Sequence, residues 1–177
     1  MKASLIALLA LAATPFLSTA AAAHVVAAPD TAKAGSYSVI AFRVGHACSA
    51  GDVTSRIRIE IPAGVASARP QPKPGWRYTI ERPDPKAPPK AIAFEGRLQD
   101  DEFDDFAILM KLPNQDASGG DRLVFPVIQT CERGESQWTE VASPEAPNAK
   151  LNRPAPAVTL IPAEAAPNGA VPPAHHH

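Results

Sequence analysis

Two histidines and two cysteines are the residues of this chain whose types and spacing could support metal chemistry. Three of the five histidines form the terminal run His175–His177, so His24 and His46 are the candidate imidazole ligands of the folded part. Cys48 and Cys131 are the only cysteines. In an exported chain an even count indicates one disulfide, with two separate buried thiols as the alternative. A bridged pair cannot bind a metal, so any metal site would use nitrogen and oxygen.

The N-terminal segment follows the plan of a secretory signal peptide. Met1–Lys2 gives a positive start, Leu5–Leu11 is apolar, and small residues end at Ala21–Ala23. This pattern predicts that residues 1–23 are removed and that the mature chain begins at His24, in the periplasm or outside the cell. Cleavage one or two alanines earlier and an uncleaved anchor are the alternatives.

A histidine at the first mature position carries two metal donors. Its α-amine and its imidazole both lose a proton readily near neutral pH, and together they can chelate one ion. Two nitrogens with an oxygen or a third nitrogen suit a tetragonal Cu(II) site. We therefore expect Cu(II) at His24, with His46 either as a second ligand or as an ordinary loop histidine.

The folded part shows the period-two pattern of β-strands. In "SRIRIEIP" the isoleucines face one way and the charged residues the other. Seven short strands separated by turns predict an all-β, antiparallel immunoglobulin-like β-sandwich. Pro126 within a strand predicts an edge or a bulge. The strand candidates are 36–44, 55–62, 77–81, 91–97, 104–112, 122–130 and 137–141.

The C-terminal part is rich in proline and alanine. We expect a single domain over residues 24–143 and an extended or disordered tail over 144–177, in which 157–162 could dock as a last strand. The terminal histidines fit either a weak metal-collecting tail or a tag remnant. Without Lys2 the chain has 16 basic and 18 acidic residues, which gives no basic face for nucleic acid. We also expect no membrane anchor in the mature chain.

Several motifs resemble the YcnI-like copper-binding domain of exported bacterial proteins, over roughly Ala21 to Val141. They are "HVVAAPDTAKAGSYSVIAFRVGHAC", "RIEIPAGV", "KPGW", "DDFAILMKLP" and "LVFPVIQTCERGESQW". The resemblance implies a β-sandwich whose N-terminal histidine holds Cu(II) through amine and imidazole. It also implies a carboxylate ligand and a tryptophan beside the site. His24 and Trp138 match that pattern. The carboxylate does not, because the loop after His46 offers Asp52 and no glutamate, so His46, Asp52 or Glu60 would complete the site.

The resemblance implies copper acquisition, buffering or hand-over to a copper chaperone or importer, and no enzymatic activity. Two other functions stay open: a copper-dependent oxygenase with a brace formed by His24 and His46, and a metal-free structural or adhesive sandwich. The chain has no "GxSxG" elbow and no glycine-rich phosphate loop. "QDDEFDDF" fits a solvated turn better than a calcium loop, and Trp76 fits a core or edge aromatic.

Overall fold

The structure, a computed structural model, describes residues 24–114 and 122–163, and all its regular elements in these ranges are β-strands. The predicted signal peptide and the terminal histidines lie outside the described residues. The strands are β1 (Val26–Ala28), β2 (Thr31–Lys33), β3 (Tyr37–Val44), β4 (Val53–Glu60), β5 (Ser67–Pro70), β6 (Arg77–Glu81), β7 (Ala91–Gln99), β8 (Asp104–Lys111), β9 (Arg122–Val124), β10 (Val127–Cys131), β11 (Glu135–Trp138) and β12 (Ala157–Ile161).

The strands form three sheets. A four-stranded sheet has the order β1-β3-β8-β5, a five-stranded sheet has the order β11-β10-β4-β7-β6, and a three-stranded sheet has the order β2-β12-β9. All strand pairs are antiparallel except β12 with β2. The predicted antiparallel, immunoglobulin-like β-sandwich is confirmed. The pattern of β4 explains why: Ile57 and Ile59 are fully buried, whereas Arg56 and Arg58 point to the other face.

One continuous core joins the sheets. The side chains of Phe94 on β7 and Phe106 on β8 meet across the sandwich with ring centroids 5.2 Å apart. Phe42 on β3 packs at the same centroid distance against Phe125. Each buried phenylalanine contributes roughly 1.5–3 kcal/mol relative to an exposed one. The core therefore fixes the two main sheets relative to each other, and with them the relative positions of the loops that connect their strands.

A proline divides one predicted strand into two. Residues 122–130 form β9 and β10, separated at Phe125 and Pro126. Proline has no N–H to donate to a ladder, but its carbonyl still accepts a hydrogen bond from Glu60 N at 2.9 Å. The chain changes sheets at this point, since β9 pairs with β12 and β10 pairs with β4. Strands β1, β2 and β5 were not predicted, because each has only three or four residues.

The folded part continues beyond residue 143. Strand β12 lies between β2 and β9, and its residues Val158 and Leu160 belong to the buried core. The segment 157–162, which was expected to be able to dock as a last strand, is thus the central strand of the third sheet. Its apolar alternation outweighs the proline-rich composition around it, so the boundary expected at residue 143 was placed too early. Beyond residue 163 the expected extended tail stays a prediction.

A disulfide links the two main sheets. Cys48 in the loop after β3 is bonded to Cys131 at the end of β10, with Cα atoms 6.0 Å apart, and this confirms the predicted pairing. A native disulfide of this kind typically contributes about 2–5 kcal/mol to stability. In the described ranges the chain contains no helix, and so no helix that could span a membrane.

Candidate metal centre

The pairing of β1 with β3 brings the two histidines of the folded part together. Val26 is opposite Arg43 and Ala27 is opposite Phe42 in this antiparallel pair. Continued for two residues, the register places His24 opposite Gly45, next to His46. Val25 is 97% buried and anchors the start of the strand in the core. Two residues 22 positions apart in sequence therefore become neighbours because of one strand pair.

Trp138 lies against both imidazoles. Its ring centroid is 5.9 Å from that of His24 and 6.0 Å from that of His46, and both contacts are edge-to-face, with interplanar angles of 78° and 71°. Trp138 is buried, whereas both histidines are partly exposed. The indole thus forms a rigid inner wall, and solvent can reach the imidazoles from outside.

Gln129 positions the tryptophan and the histidine loop. This fully buried side chain accepts a hydrogen bond from Trp138 Nε1 at 3.0 Å. Its amide donates to the His46 carbonyl oxygen at 2.7 Å and to Thr54 Oγ1 at 2.8 Å. A buried amide with all these partners restricts the conformations of its neighbours. Gln129 therefore couples the indole on β11 to the backbone of the His46 loop.

Asp100 holds the same loop from the other side. Its carboxylate accepts hydrogen bonds from Gly51 N at 2.8 Å and from Ala47 N at 3.1 Å. These bonds, from Gly51 and then Ala47, hold the pKa of Asp100 below its usual range, and the nearby His46 adds to the effect. Together with the Cys48 disulfide, the carboxylate fixes the loop that carries His46.

Asp52 and Glu60 are placed differently from the two histidines. Asp52 is buried at the end of the His46 loop, where Oδ1 accepts from Val53 N at 2.8 Å and lies 3.6 Å from Arg133 Nε. Its Oδ2 is buried without a hydrogen-bond partner. Glu60 points to the outer face of its sheet, away from Trp138, and pairs with Arg58 at 2.7 Å. The structure does not bring Glu60 to the histidines.

Side chains that the sequence reasoning missed also line the site. His24 faces a solvent-open groove of about 410 Å³ whose lining includes Asp30 and Arg122. Asp30 lies two residues after the end of β1 and His24 lies two residues before its start, so the two ends of this short strand bring an imidazole and a carboxylate to the same groove. The alternation of residues along β10 could have indicated that Gln129 is buried, because Val127, Gln129 and Cys131 share the buried face.

The side chains that could bind a metal at this site are few, and most of their donor atoms are nitrogens. Within residues 24–114 and 122–163, no three His, Cys, Asp or Glu side chains are grouped so that they could hold a metal ion. The disulfide removes both thiolates. The residues that would hold a metal here are His24 and His46 through their imidazoles, with the α-amine of His24 as a third donor if the chain is cleaved before it. Two imidazoles and an amine fit Cu(II), which favours nitrogen ligands in a tetragonal arrangement.

Comparisons with known proteins assign the family. The chain belongs to the family described as "Domain of unknown function (DUF1775)", whose profile matches residues 24–160; this is the YcnI-like family, so the resemblance is confirmed. No curated protein matches the chain. It is similar to an uncharacterized protein from Nocardia farcinica, whose crystal structure reveals an immunoglobulin-like fold. The TM-score is 0.64 and the identity 29%, over 77% of this chain and 97% of that one.

Proposed function

We propose that this is an exported copper-binding protein that holds Cu(II) through the amine and imidazole of His24, with His46 as a further ligand. The observation that carries the proposal is the convergence of His24 and His46 on Trp138, at 5.9 and 6.0 Å. They are the only histidines among the described residues, and a strand pair, a disulfide and a buried glutamine all act to hold them there.

The proposed role is to capture or buffer copper and to hand it to a copper chaperone or importer in the periplasm. Partial exposure of both imidazoles supports transfer, because an incoming ligand can reach the metal without unfolding the site. The oxidising compartment follows from the proposed signal peptide and agrees with the disulfide.

A change at the chain terminus gives the sharpest test. Protein beginning at His24 is compared with protein that carries one additional alanine before His24, and both are titrated with Cu(II) against a competing chelator. The two proteins have the same imidazoles and differ only in where the α-amine is. We expect the extension to weaken binding by more than the ~10- to 100-fold typical of changes outside the ligand set.

The histidine variants complete this test. His24→Ala should remove the nitrogen-ligated Cu(II) signal in electron paramagnetic resonance, and His46→Ala should change its hyperfine pattern. Equal Cu(II) affinity of the native and extended proteins would refute amine ligation. Unchanged binding in His24→Ala would refute the site as a whole.

The same two imidazoles are also the arrangement that an oxygenase brace would need. We propose binding without catalysis, since the described surface around His24 contains no array of exposed aromatic rings that could bind a glycan. Incubation of the copper-loaded protein with a reductant, peroxide and polysaccharides tests this directly. Oxidised sugars that disappear in His24→Ala would assign the enzymatic function instead.

A further inference from the structure

We propose that the outer face of the five-stranded sheet carries a second site, a groove that binds a small carboxylate- or phosphate-bearing molecule. The groove has a volume of about 710 Å³, within the range of small-molecule sites. Its lining contains three arginines, Arg56, Arg77 and Arg97, and one carboxylate, Glu95. Guanidinium groups match the planar geometry of oxyanions and bind them through paired hydrogen bonds. The chemistry of the lining therefore favours an anion.

The backbone at this groove departs from regular pairing on both sides of β4. Along β7 the register shifts between Thr54 and Arg56, so that Gly96 and Arg97 lie opposite the single residue Ser55. Along β10 a second shift occurs between Thr130 and Cys131, again beside Ser55. Bulges re-aim side chains and are frequent next to functional sites. Two of them at one residue open the sheet surface where the arginines project.

Trp76 forms a fixed wall of the groove. Gly75 precedes it with φ of 77°, a conformation that favours glycine. The indole then covers Gly96, where an added Cβ would lie 2.7 Å from Trp76 Cε3. Its ring packs edge-on against Phe106 of the core at a centroid distance of 4.7 Å. These contacts fix the segment Pro74–Trp76, which lines the groove, against the core.

Two of the arginines have donors without acceptors. Arg56 Nε is buried without a hydrogen-bond partner, since Glu95 Oε1 is 3.7 Å away and beyond hydrogen-bond distance. A buried donor left unpaired is costly, more so when it is charged. Arg77 is exposed, and no carboxylate in the described part of the chain lies within salt-bridge distance of it. An oxyanion between Arg56 and Arg77 would give Arg77 an acceptor, and it would reach Arg56 Nε when the half-exposed Glu95 side chain turns away.

The neighbouring carboxylates leave this position available. Glu81 accepts bonds from Arg58 Nε at 3.0 Å and Nη2 at 2.8 Å and from Arg56 Nη2 at 3.3 Å, so it engages Arg56 at Nη2 and leaves Nε without an acceptor. Glu132 pairs with Arg97 from outside the groove. Glu95 is then the one carboxylate of the lining, and because its side chain is 49% exposed it can turn to solvent when an anion enters.

Calorimetric titration of the copper-free mature protein with citrate and with inorganic phosphate tests the proposal, at constant ionic strength. We expect saturable binding of at least one of them. Arg77→Gln should weaken it about tenfold or more, as expected for the loss of a charge-assisted hydrogen bond. Glu95→Gln should strengthen it several-fold, because a competing carboxylate is removed. Citrate against phosphate distinguishes a carboxylate ligand from a phosphate ligand.

Matched surface changes serve as controls. Arg69→Gln and Asp101→Asn alter exposed charges elsewhere by the same amounts and should leave the affinity within about twofold, as should His24→Ala. Each variant is first shown to have the same Tm as the native protein. If Arg77→Gln has a lower Tm, Arg77→Lys is used in its place. Equal weakening by Arg69→Gln, or no binding of either anion at millimolar concentration, would overturn the proposal. Binding of an acidic peptide alone would also overturn it, in favour of a protein partner.

Discussion

Replacement of Gln129 by leucine should loosen the candidate metal centre from within. The glutamine is fully buried and makes three hydrogen bonds, from Trp138 Nε1 and to His46 O and Thr54 Oγ1. Leucine has a similar volume but neither donates nor accepts, so each partner loses its bond without a large cavity being formed.

The expected cost follows from the partners that remain buried. Each unsatisfied buried group costs about 1–3 kcal/mol. Trp138 Nε1 is buried and cannot easily turn elsewhere, whereas the hydroxyl of Thr54 can rotate and the loop carbonyl can reach water. We therefore expect a loss of about 3 kcal/mol, which for a domain of this size lowers Tm by roughly 10 °C.

Thermal unfolding followed by circular dichroism measures this loss, and tryptophan fluorescence reports whether the indole becomes more exposed. Gln137→Leu is the matched control, because this glutamine is exposed on the neighbouring strand and bonds only Glu135 among the described residues. The control should stay within about 0.5 kcal/mol of the native protein. A Tm difference of about 2 °C corresponds to roughly 0.5 kcal/mol for a domain of this size. If Gln129→Leu melts within about 2 °C of the Gln137→Leu control, the positioning role of Gln129 is refuted.

Three further predictions concern other contacts. The amides of Ala47 and Gly51 should lose hydrogen-exchange protection as the pH falls below about 4. The pKa of Asp100 is lower in the folded chain than in the unfolded chain, so its carboxylate stabilises the loop at any pH above its unfolded pKa. That contribution is lost as the pH falls through the folded pKa and the carboxyl is protonated. Asp100→Asn should remove this pH dependence, and its persistence would contradict the assignment. Gly96→Ala should destabilise the protein by about 1–3 kcal/mol, since the new Cβ must displace Trp76, and an unchanged Tm would contradict that contact. Joint replacement of Cys48 and Cys131 by serine should cost about 2–5 kcal/mol in denaturant unfolding, and a smaller loss would show that the core alone holds the sheets together.

The sequence predicted the long strands well because their side chains obey one physical rule. In the second half of β4, Ile57 and Ile59 face the core and alternate with charged residues, and burial on one face is all that such a segment requires. β1 has only three residues, Val26–Ala28, and two of them are alanine, so its identity depends on the partner β3 rather than on its own pattern. The pattern of residues within a short segment cannot predict a strand that forms only because it pairs with another strand.

The candidate site was predictable in part. His24 and His46 were expected from the residue inventory, and the structure places both beside Trp138. Gln129 was not expected, because period two places it on the buried face with Val127 and Cys131 but does not show which groups it would bond. Its role becomes visible only when strands from distant parts of the chain supply Trp138 and the His46 carbonyl as partners. Hydrogen-bond satisfaction of buried groups is a tertiary property, and single-sequence patterns do not encode it.

The order of strands in the third sheet has a consequence for how the chain acquires its fold. β2 near the beginning and β9 both pair with β12, whose last residue is Ile161. A chain that crosses a membrane with its N-terminus first would present β2 long before its partner arrives. Contacts between such distant segments also form slowly. If the chain is exported as proposed, the third sheet would stay open until β12 had crossed, and pairing of β12 with β2 and β9 would complete the fold only on the far side of the membrane.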